Sequence, residues 1–280
     1  MFSFFKKKTS PQEVLQDQSY PSDDSFDDPR EIFERFTNIT GMNFSSKEEI
    51  TKQKIQNFCM RYEIGGFGEL NTRLEEDDSL LQALIDYLTV NETYFFRELE
   101  QIEILKEQLK AEPRPIRILC APCATGEEVY SIIIQFLEAG IPEGNIHVIG
   151  IDINASAIQR AKTGVFSQRS VSRIEPALIT RYFTQENNSY KVTDTVHRLA
   201  DFRRENIFDE TFRKLGMFDV IFSRNLFIYF NDREKKRAVE IFCSLLKPGG
   251  QMFFGHADNF DDPVCLKSDF VGRTRVYRKI

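Results

Sequence analysis

Apolar side chains recur at helical spacing through residues 28–88. Between Asp28 and Gly41 one face of a helix is apolar, at Ile32, Phe33, Phe36 and Ile39. Asp28 followed by Pro29 is a typical helix start, and Gly41 is a typical stop. Two more amphipathic runs, over residues 45–62 and 79–88, have the same spacing. The pattern therefore predicts a small all-helical N-terminal domain over residues 28–90.

From residue 114 onward, short apolar runs alternate with helical segments. The runs predict strands over residues 116–120, 146–151, 218–222 and 251–255, with helices over residues 127–137, 156–162 and 232–246. Such alternation is typical of an α/β fold, with a parallel sheet and helices on both of its faces. Residues 183–202 break the alternation, because Asn187-Asn188-Ser189 lies between two β-prone runs. We interpret that stretch as an inserted β-hairpin.

Two segments lie outside these domains. Residues 11–29 contain six acidic residues and no basic ones, with few apolar side chains to offset the entropy of ordering the chain. We therefore predict a disordered acidic lead-in over residues 1–27. Residues 91–113 are interpreted as a linker that includes a helix and leads into a second domain over residues 114–280.

Composition narrows the classes of function. The chain has 280 residues, of which 41% are apolar and 29% are charged, as in soluble globular proteins. Its formal net charge of −6 argues against broad electrostatic binding of nucleic acid. No run approaches the ~20 apolar residues that span a bilayer, and no secretory signal opens the chain. Five scattered cysteines do not suggest a disulfide framework. We expect a cytoplasmic protein.

Three loops follow predicted strands, where an open parallel sheet binds its ligands. The first, residues 121–128, has small residues and then a helix start, so its backbone could approach a ligand closely. It lacks the glycine pattern of a dinucleotide site and the lysine of a P-loop. Its two glutamates, Glu127 and Glu128, favour a ligand with a cationic part and no phosphate. A tight turn with both glutamates at the helix N-terminus is the alternative.

The other two loops and one further segment carry polar side chains. Asp152 ends the second strand, where a carboxylate typically accepts hydrogen bonds from ribose hydroxyls. After the third strand, Asn225 offers a donor and an acceptor, and Tyr229 a ring and a hydroxyl. The alternative there is an aromatic helix face packed in the core. Arg97 lies among aromatic residues and needs an anionic partner, either an internal carboxylate or a substrate. Together, the first loop and Asp152 favour a nucleoside site.

Four motifs, taken in order, resemble one known family. They are Asn91-Glu92-Thr93-Tyr94-Phe95-Phe96-Arg97-Glu98, the loop over residues 121–128, the strand and loop over residues 218–230, and the segment over residues 246–256. In these motifs, and over residues 29–280 as a whole, the chain is similar to the CheR-type chemotaxis receptor methyltransferases. The resemblance implies an S-adenosylmethionine-dependent protein-glutamate O-methyltransferase. It also implies a Rossmann-like class I methyltransferase domain with an inserted β-hairpin subdomain, preceded by a small helical domain.

The resemblance implies a cofactor site and two residues near the transferred methyl group. Contacts to S-adenosylmethionine would involve Asn91, Thr93, Arg97, Glu128, Asp152, Asn206, Ile207, Asn225 and Leu226. Arg97 and Tyr229 would lie nearest the methyl group, as the catalytic residues. The attacking group would be a substrate glutamate, whose carboxyl has a pKa of about 4.3 and is ionised at neutral pH without a general base or metal. We accordingly expect no metal site.

The resemblance also implies a partner, the cytoplasmic helical domain of a transmembrane chemoreceptor. We expect S-adenosylhomocysteine as the product, and a monomer with neither a nucleic-acid partner nor an integral membrane segment. The second predicted helix is only mildly basic, with Lys47, Lys52, Lys54 and Arg61 against Glu48 and Glu49. Receptor recognition is therefore less strongly indicated than methyl transfer.

Other readings remain open. A relative of these enzymes could bind the cofactor and act mainly as a signalling or scaffold protein with little turnover. A nucleotide-dependent oxidoreductase is disfavoured by the missing G-x-G-x-x-G. Cys120 and Cys123 have the spacing of a thioredoxin-like redox pair, but the Thr-Gly-Glu-Glu that follows argues against that fold. We interpret Cys120 as a packed small apolar residue, and hypothesise that a disulfide to Cys123 would disturb the cofactor loop.

Overall fold

The computed structural model describes residues 23–280 apart from residues 46, 112 and 260–262. Most of the predicted lead-in, residues 1–22, lies outside the described residues. Asp23–Phe26 form one turn of 3-10 helix, and the buried Phe26 ring meets Phe67 edge-on at 5.2 Å. This last part of the predicted lead-in is therefore packed, because Phe26 gives an otherwise polar segment an apolar side chain to bury.

Four helices form the N-terminal part of the chain. They are α1 (Arg30–Thr40), α2 (Glu48–Arg61), α3 (Phe67–Glu76) and α4 (Asp78–Leu88). Three of them lie where the apolar spacing predicts helices, and α3 is an addition. Its buried face consists of only Phe67, Leu70 and Leu74. So short an apolar stripe, directly after the Gly65-Gly66 pair, does not stand out from a loop in the sequence.

The rest of the chain is built on strands that alternate with helices. The strands are β1 (Ile116–Cys120), β2 (Ile146–Asp152), β3 (Val165–Ser167), β4 (Phe183–Glu186), β5 (Ser189–Val192), β6 (Ala200–Arg204), β7 (Phe218–Ser223), β8 (Leu246–Phe254), β9 (Leu266–Val271) and β10 (Thr274–Lys279). The helices are α5 (Leu99–Ala111), α6 (Glu127–Glu138), α7 (Ala155–Thr163), α8 (Gln168–Val171), α9 (Pro176–Tyr182), α10 (Asp194–His197) and α11 (Asp232–Leu245).

Seven strands form the main sheet, in the order β6-β2-β1-β7-β8-β10-β9. The strands from β6 to β8 are parallel, and β10 and β9 are antiparallel. Neighbouring residues of β1 pack on opposite faces, Ile118 in one apolar core and Leu119 in the other, which confirms the predicted α/β class with both faces covered. The strand order reverses between β1 and β7, so the carboxyl ends of β1, β2 and β7 form a crevice of the kind that binds ligands.

The prediction of one inserted hairpin over residues 183–202 needs correction. Strands β4 and β5 form the hairpin around Asn187, whose φ of 53° suits a tight turn, and β3 pairs with β5 to make a small antiparallel sheet. Strand β6 instead pairs in parallel with β2 at the edge of the main sheet. Only Phe202 of β6 is buried, so this edge strand has no apolar run by which the sequence could reveal it.

The C-terminal part adds two features that the sequence does not predict. Strands β9 and β10 form an antiparallel hairpin at the other edge of the main sheet. Cys243 of α11 and Cys265 form a disulfide across 22 residues, whereas Cys59, Cys120 and Cys123 are buried and free. The five cysteines do not form a disulfide framework among themselves, and the spacing of this single pair has no pattern from which the sequence could predict it.

The helical part is held against the sheet by a carboxylate at a helix N-terminus. Asp86 of α4 accepts hydrogen bonds from the N–H groups of Ala155 and Ser156 at 2.8 and 3.0 Å, and from the Ser156 hydroxyl at 2.6 Å. The side-chain amide of Asn154 donates to Asp86 O and to Thr89 Oγ1. Because free N–H groups begin α7 there, a carboxylate from another helix is well placed to satisfy them.

We predict that Asp86→Ala lowers the free energy of unfolding by about 1–2 kcal/mol, as expected when a helix loses its capping acceptor. Asp86→Asn keeps one acceptor oxygen and should lose less. Urea denaturation followed by circular dichroism measures both changes. Equal stability of the Ala variant and the wild type would contradict a role of Asp86 in holding the two parts together.

Candidate functional site

A cavity lies at the carboxyl ends of β1, β2 and β7, where the helical part covers the sheet. Its wall is made by the segment before α5, by the loops after the three strands and by Met42 of the helical part. Eight of the ten residues predicted for the site line this cavity, namely Asn91, Thr93, Arg97, Glu128, Asp152, Asn225, Leu226 and Tyr229. The topology therefore brings together residues that are up to 138 positions apart in the chain.

The other two predicted residues do not line the cavity. Asn206 donates from its side-chain amide to Ile39 O at 2.7 Å and accepts from the N–H of Phe208 at 3.0 Å. Ile207 is buried in the apolar core. Both side chains hold the loop after β6 against the helical part.

The loop after β1 turns tightly beneath the cavity. The N–H of Cys123 donates to Ile151 O at 2.8 Å, and Gly126 has a φ of 95°. A Cβ at Gly126 would lie 3.0 Å from side-chain atoms of both Ala161 and Phe202, so this position requires glycine. Burial raises the pKa of the Cys120 and Cys123 thiols well above the usual value, which makes both poor nucleophiles.

Asp152 is fixed in place by the backbone of two loops. Its Oδ2 accepts from the N–H of Ala124 and its Oδ1 from the N–H of Asn154, both at 2.9 Å. Burial raises the pKa of this carboxyl to about 6, against the lowering effect of the two N–H groups. A carboxylate oxygen can accept two hydrogen bonds, and each oxygen of Asp152 accepts only one here. Both oxygens therefore keep capacity for a ligand hydroxyl.

A buried ion pair forms one wall of the cavity. The guanidinium of Arg224 donates to Glu128 Oε2 and, at 2.7 Å, to Arg97 O, and both charged side chains are less than a tenth exposed. Burial alone would lower the pKa of Arg224, but the carboxylate of Glu128 raises it above the usual value. Glu128 Oε1 is buried and has no hydrogen-bond partner among the described residues. That oxygen, on a carboxylate beside the Cys120 thiol, has acceptor capacity left in a wall of the site.

Two contacts fix the backbone segment that carries Arg97. Ser131 accepts from the N–H of Phe96 at 2.9 Å, and the buried Phe95 ring packs against Phe166 at 4.8 Å. Within the described part of the chain, the Arg97 guanidinium has no carboxylate within salt-bridge distance, and its one hydrogen bond is a 3.3 Å contact to Glu92 O. Of the two partners considered from the sequence, an internal carboxylate is therefore not present at this guanidinium.

Tyr229 stands in the same wall as Arg97. Burial, with a smaller contribution from the Glu92 carboxylate, raises the pKa of the Tyr229 phenol above its usual value. Its hydroxyl is therefore protonated at neutral pH and able to donate a hydrogen bond. The backbone of Tyr229 is tied to the helical part, because its carbonyl accepts from the N–H of Asn43 at 2.8 Å.

Asp258, which the sequence analysis did not single out, organises the loop after β7. Its carboxylate accepts from the N–H groups of Asn225, Gly255 and Phe227 at 2.6, 2.9 and 2.9 Å, and from that of Ile228 at 3.3 Å. These bonds hold Asn225 in a left-handed conformation with a φ of 59°. A Cβ at Gly255 would lie 2.8 Å from the Asn225 nitrogen, so this glycine allows the two loops to meet.

Two further classes of site are not found in the part of the chain that the structure describes. No three or more His, Cys, Asp and Glu side chains are grouped there so that they could hold a metal ion. None of its helices combines the length and the apolar character that a bilayer span requires.

Comparison with known proteins places this site in a family. The model of the family "CheR methyltransferase, SAM binding domain" matches residues 91–273, which include all four sequence motifs and most of the cavity wall. A chemotaxis protein methyltransferase of Campylobacter jejuni subsp. jejuni is 32% identical over 251 residues, which cover 89% of this chain and 95% of that protein.

Two further relatives are similar over a shorter part of the chain. Chemotaxis protein methyltransferase 2 of Vibrio cholerae is 40% identical over 197 residues, covering 67% of this chain and 68% of that protein. Probable biofilm formation methyltransferase WspC of Pseudomonas aeruginosa is 36% identical over 193 residues, covering 66% of this chain and 46% of that protein.

The environment of Asp258 predicts a pH dependence of stability. Burial raises the pKa of this carboxyl to about 6 in the folded chain, against a value near 3.8 without the fold. A carboxyl with a raised pKa contributes stability at low pH that is lost as the pH rises through about 6. We therefore expect the wild type to gain stability relative to Asp258→Asn between pH 7.5 and pH 5. Urea denaturation at both pH values tests this, and a difference that does not change with pH would contradict it.

Proposed function

The chain belongs to the CheR methyltransferase family and has S-adenosylmethionine (SAM) as its cofactor, and on that premise we propose that it methylates glutamate side chains of chemoreceptors. The products would be glutamate methyl esters and S-adenosylhomocysteine. The observation that carries this proposal is the convergence of Arg97 and Tyr229 with Asp152 and Glu128 on one cavity.

The polar groups of the cavity suit the parts of SAM. Asp152 has acceptor capacity left for the two hydroxyls of a ribose. The unpartnered Oε1 of Glu128 suits a cationic group, and because Arg224 already balances the Glu128 charge, the wall offers an acceptor without excess negative charge. We assign Asn91, Thr93, Asn225 and Leu226 as further contacts. Asn206 and Ile207 are assigned only a supporting role, because the Asn206 amide bonds to Ile39 of the helical part and Ile207 is buried in the apolar core.

The reaction requires alignment of the reacting groups more than it requires acid–base catalysis. SAM supplies an electrophilic methyl group on a sulfonium, and a glutamate carboxylate with a pKa of about 4.3 is already a nucleophile at neutral pH. Arg97 has N–H groups without a carboxylate partner among the described residues, so it would orient the incoming carboxylate. Tyr229 would donate from its protonated hydroxyl and close the space around the reacting atoms. Such alignment can lower a barrier by about 7–11 kcal/mol.

The proposed partner is the cytoplasmic helical domain of a chemoreceptor. Two relatives are named as chemotaxis protein methyltransferases. Helix α2 presents cationic side chains that an acidic receptor helix could contact, at Lys47, Lys52, Lys54 and Arg61. Ile50 and Met60 on the same helix are 62% and 65% exposed and offer apolar contacts beside these charges. We propose that the enzyme acts as a cytoplasmic monomer.

Calorimetry of SAM binding tests the cofactor site. We predict that Asp152→Ala weakens binding at least tenfold, in line with roughly 1.5–3 kcal/mol for hydrogen bonds to a charged group. The pKa of about 6 predicts that wild-type affinity falls as the pH drops through 6, because protonation removes acceptor capacity, whereas Asp152→Asn should show no such change. The exposed Asp194 provides the matched control, Asp194→Ala. Undiminished binding to Asp152→Ala would contradict the assignment.

Transfer of labelled methyl from SAM to a chemoreceptor cytoplasmic fragment tests the reaction. We predict that Arg97→Ala lowers kcat/KM by about 100-fold, a loss expected from misalignment of reacting groups, while the variant stays folded. Label released as methanol in mild alkali would identify carboxylate esters. Full activity of Arg97→Ala would contradict its role. Tight SAM binding without any transfer by the wild type would instead favour a signalling or scaffold protein.

A further inference from the structure

Two arginines contact one tyrosine ring beside the cavity. The guanidinium carbon of Arg173 lies 4.6 Å from the ring centroid of Tyr94, and that of Arg97 lies 5.6 Å from it. Arg97 lines the cavity, whereas Tyr94 does not and Arg173 is exposed. The Tyr94 ring therefore contacts both an arginine of the cavity wall and an arginine of the outer surface. Arg173 belongs to none of the four sequence motifs and was not predicted as part of the site.

The small antiparallel sheet and its helices bring Arg173 to this position. Val171 and Ile174, on either side of Arg173, are buried and fix the backbone there. Phe95, next to Tyr94 in the chain, packs against Phe166 and Phe183 of the same small sheet. Arg173 is therefore held in a defined place relative to Arg97.

The two cations share one ring without an ion-pair partner in the part of the chain that the structure describes. Among the described residues, neither Arg97 nor Arg173 forms an ion pair with a carboxylate, and Arg173 is exposed. Two like charges at one ring repel each other, and the repulsion is relieved when an anion binds next to them. A guanidinium stacked on a ring keeps its in-plane N–H donors free, in the fork geometry that suits a carboxylate.

We propose that Arg173 is a substrate-binding residue that holds an acidic side chain next to the methylated glutamate of the receptor. Tyr94 orients its guanidinium, while Arg97 serves the glutamate that enters the cavity. This inference rests on the proposed function, and it places part of the substrate specificity in the small inserted sheet. The partner chemistry is an acidic polypeptide with at least two carboxylates close together.

Steady-state kinetics with a chemoreceptor cytoplasmic fragment tests this role. We expect Arg173→Ala to raise KM for the fragment roughly fivefold, the upper end for one exposed ion pair, with little change in kcat. Arg173→Glu should raise KM further, and added salt should weaken the wild type more than Arg173→Ala. SAM affinity should stay as in the wild type. The exposed Arg169 of α8 has no contact to Tyr94 among the described residues, so Arg169→Ala is the control of equal charge.

A second fragment makes the test specific. In it, the acidic residues that flank the methylated glutamate are replaced by glutamine, and Arg173→Ala should then have no further effect on KM. Equal KM values for Arg173→Ala and the wild type, or equal losses in Arg173→Ala and Arg169→Ala, would overturn the inference while the proposed function stands. Absence of methylation by the wild type would overturn both.

Discussion

Loop N–H groups at the carboxyl edge of the sheet need acceptors, and aspartate carboxylates supply them. Asp152 joins the loops after β1 and β2, and Asp258 joins the loops after β7 and β8. Asp86 joins the helical part to the start of α7. Each carboxylate accepts from at least one backbone N–H group that is 28 or more residues away in the chain, so the loops keep their relative positions before any ligand is bound. The geometry of the whole cavity depends on these three residues.

The residue type at these positions follows from the donors. Each carboxylate faces two or more N–H groups, and an ionised aspartate is the short side chain with two acceptor oxygens and no donor. Asparagine would turn an amide N–H₂ toward some of the same donors. The choice has a cost, because burial disfavours the charge and raises the pKa of Asp152 and Asp258 to about 6. The Asp152 and Asp258 carboxylates that order the site are therefore ionised at neutral pH, but their pKa values lie only slightly below it.

The elements that can be predicted from the sequence are those that a local pattern of residues determines. Strands β1, β2 and β7 are buried on both faces and are mostly apolar in sequence, whereas β6 has one buried side chain and α3 three. Eight predicted site residues share one cavity because motifs that end parallel strands meet at one edge. Arg224, Asp258 and Arg173 act across 96, 33 and about 80 residues of chain, and no local spacing carries such a pairing.

The charges of the site are ordered from the inside outward. Deep in the wall, Arg224 and Glu128 compensate each other, so this pair adds no net charge to the cavity, and Asp152 is the remaining anion there. At the rim, Arg97 and Arg173 are cations that form no ion pair with any described residue. In the proposed reaction an anionic carboxylate meets a sulfonium and both charges are lost on methyl transfer. Cations at the rim then serve to attract the carboxylate, and the uncharged ester product no longer pairs with them.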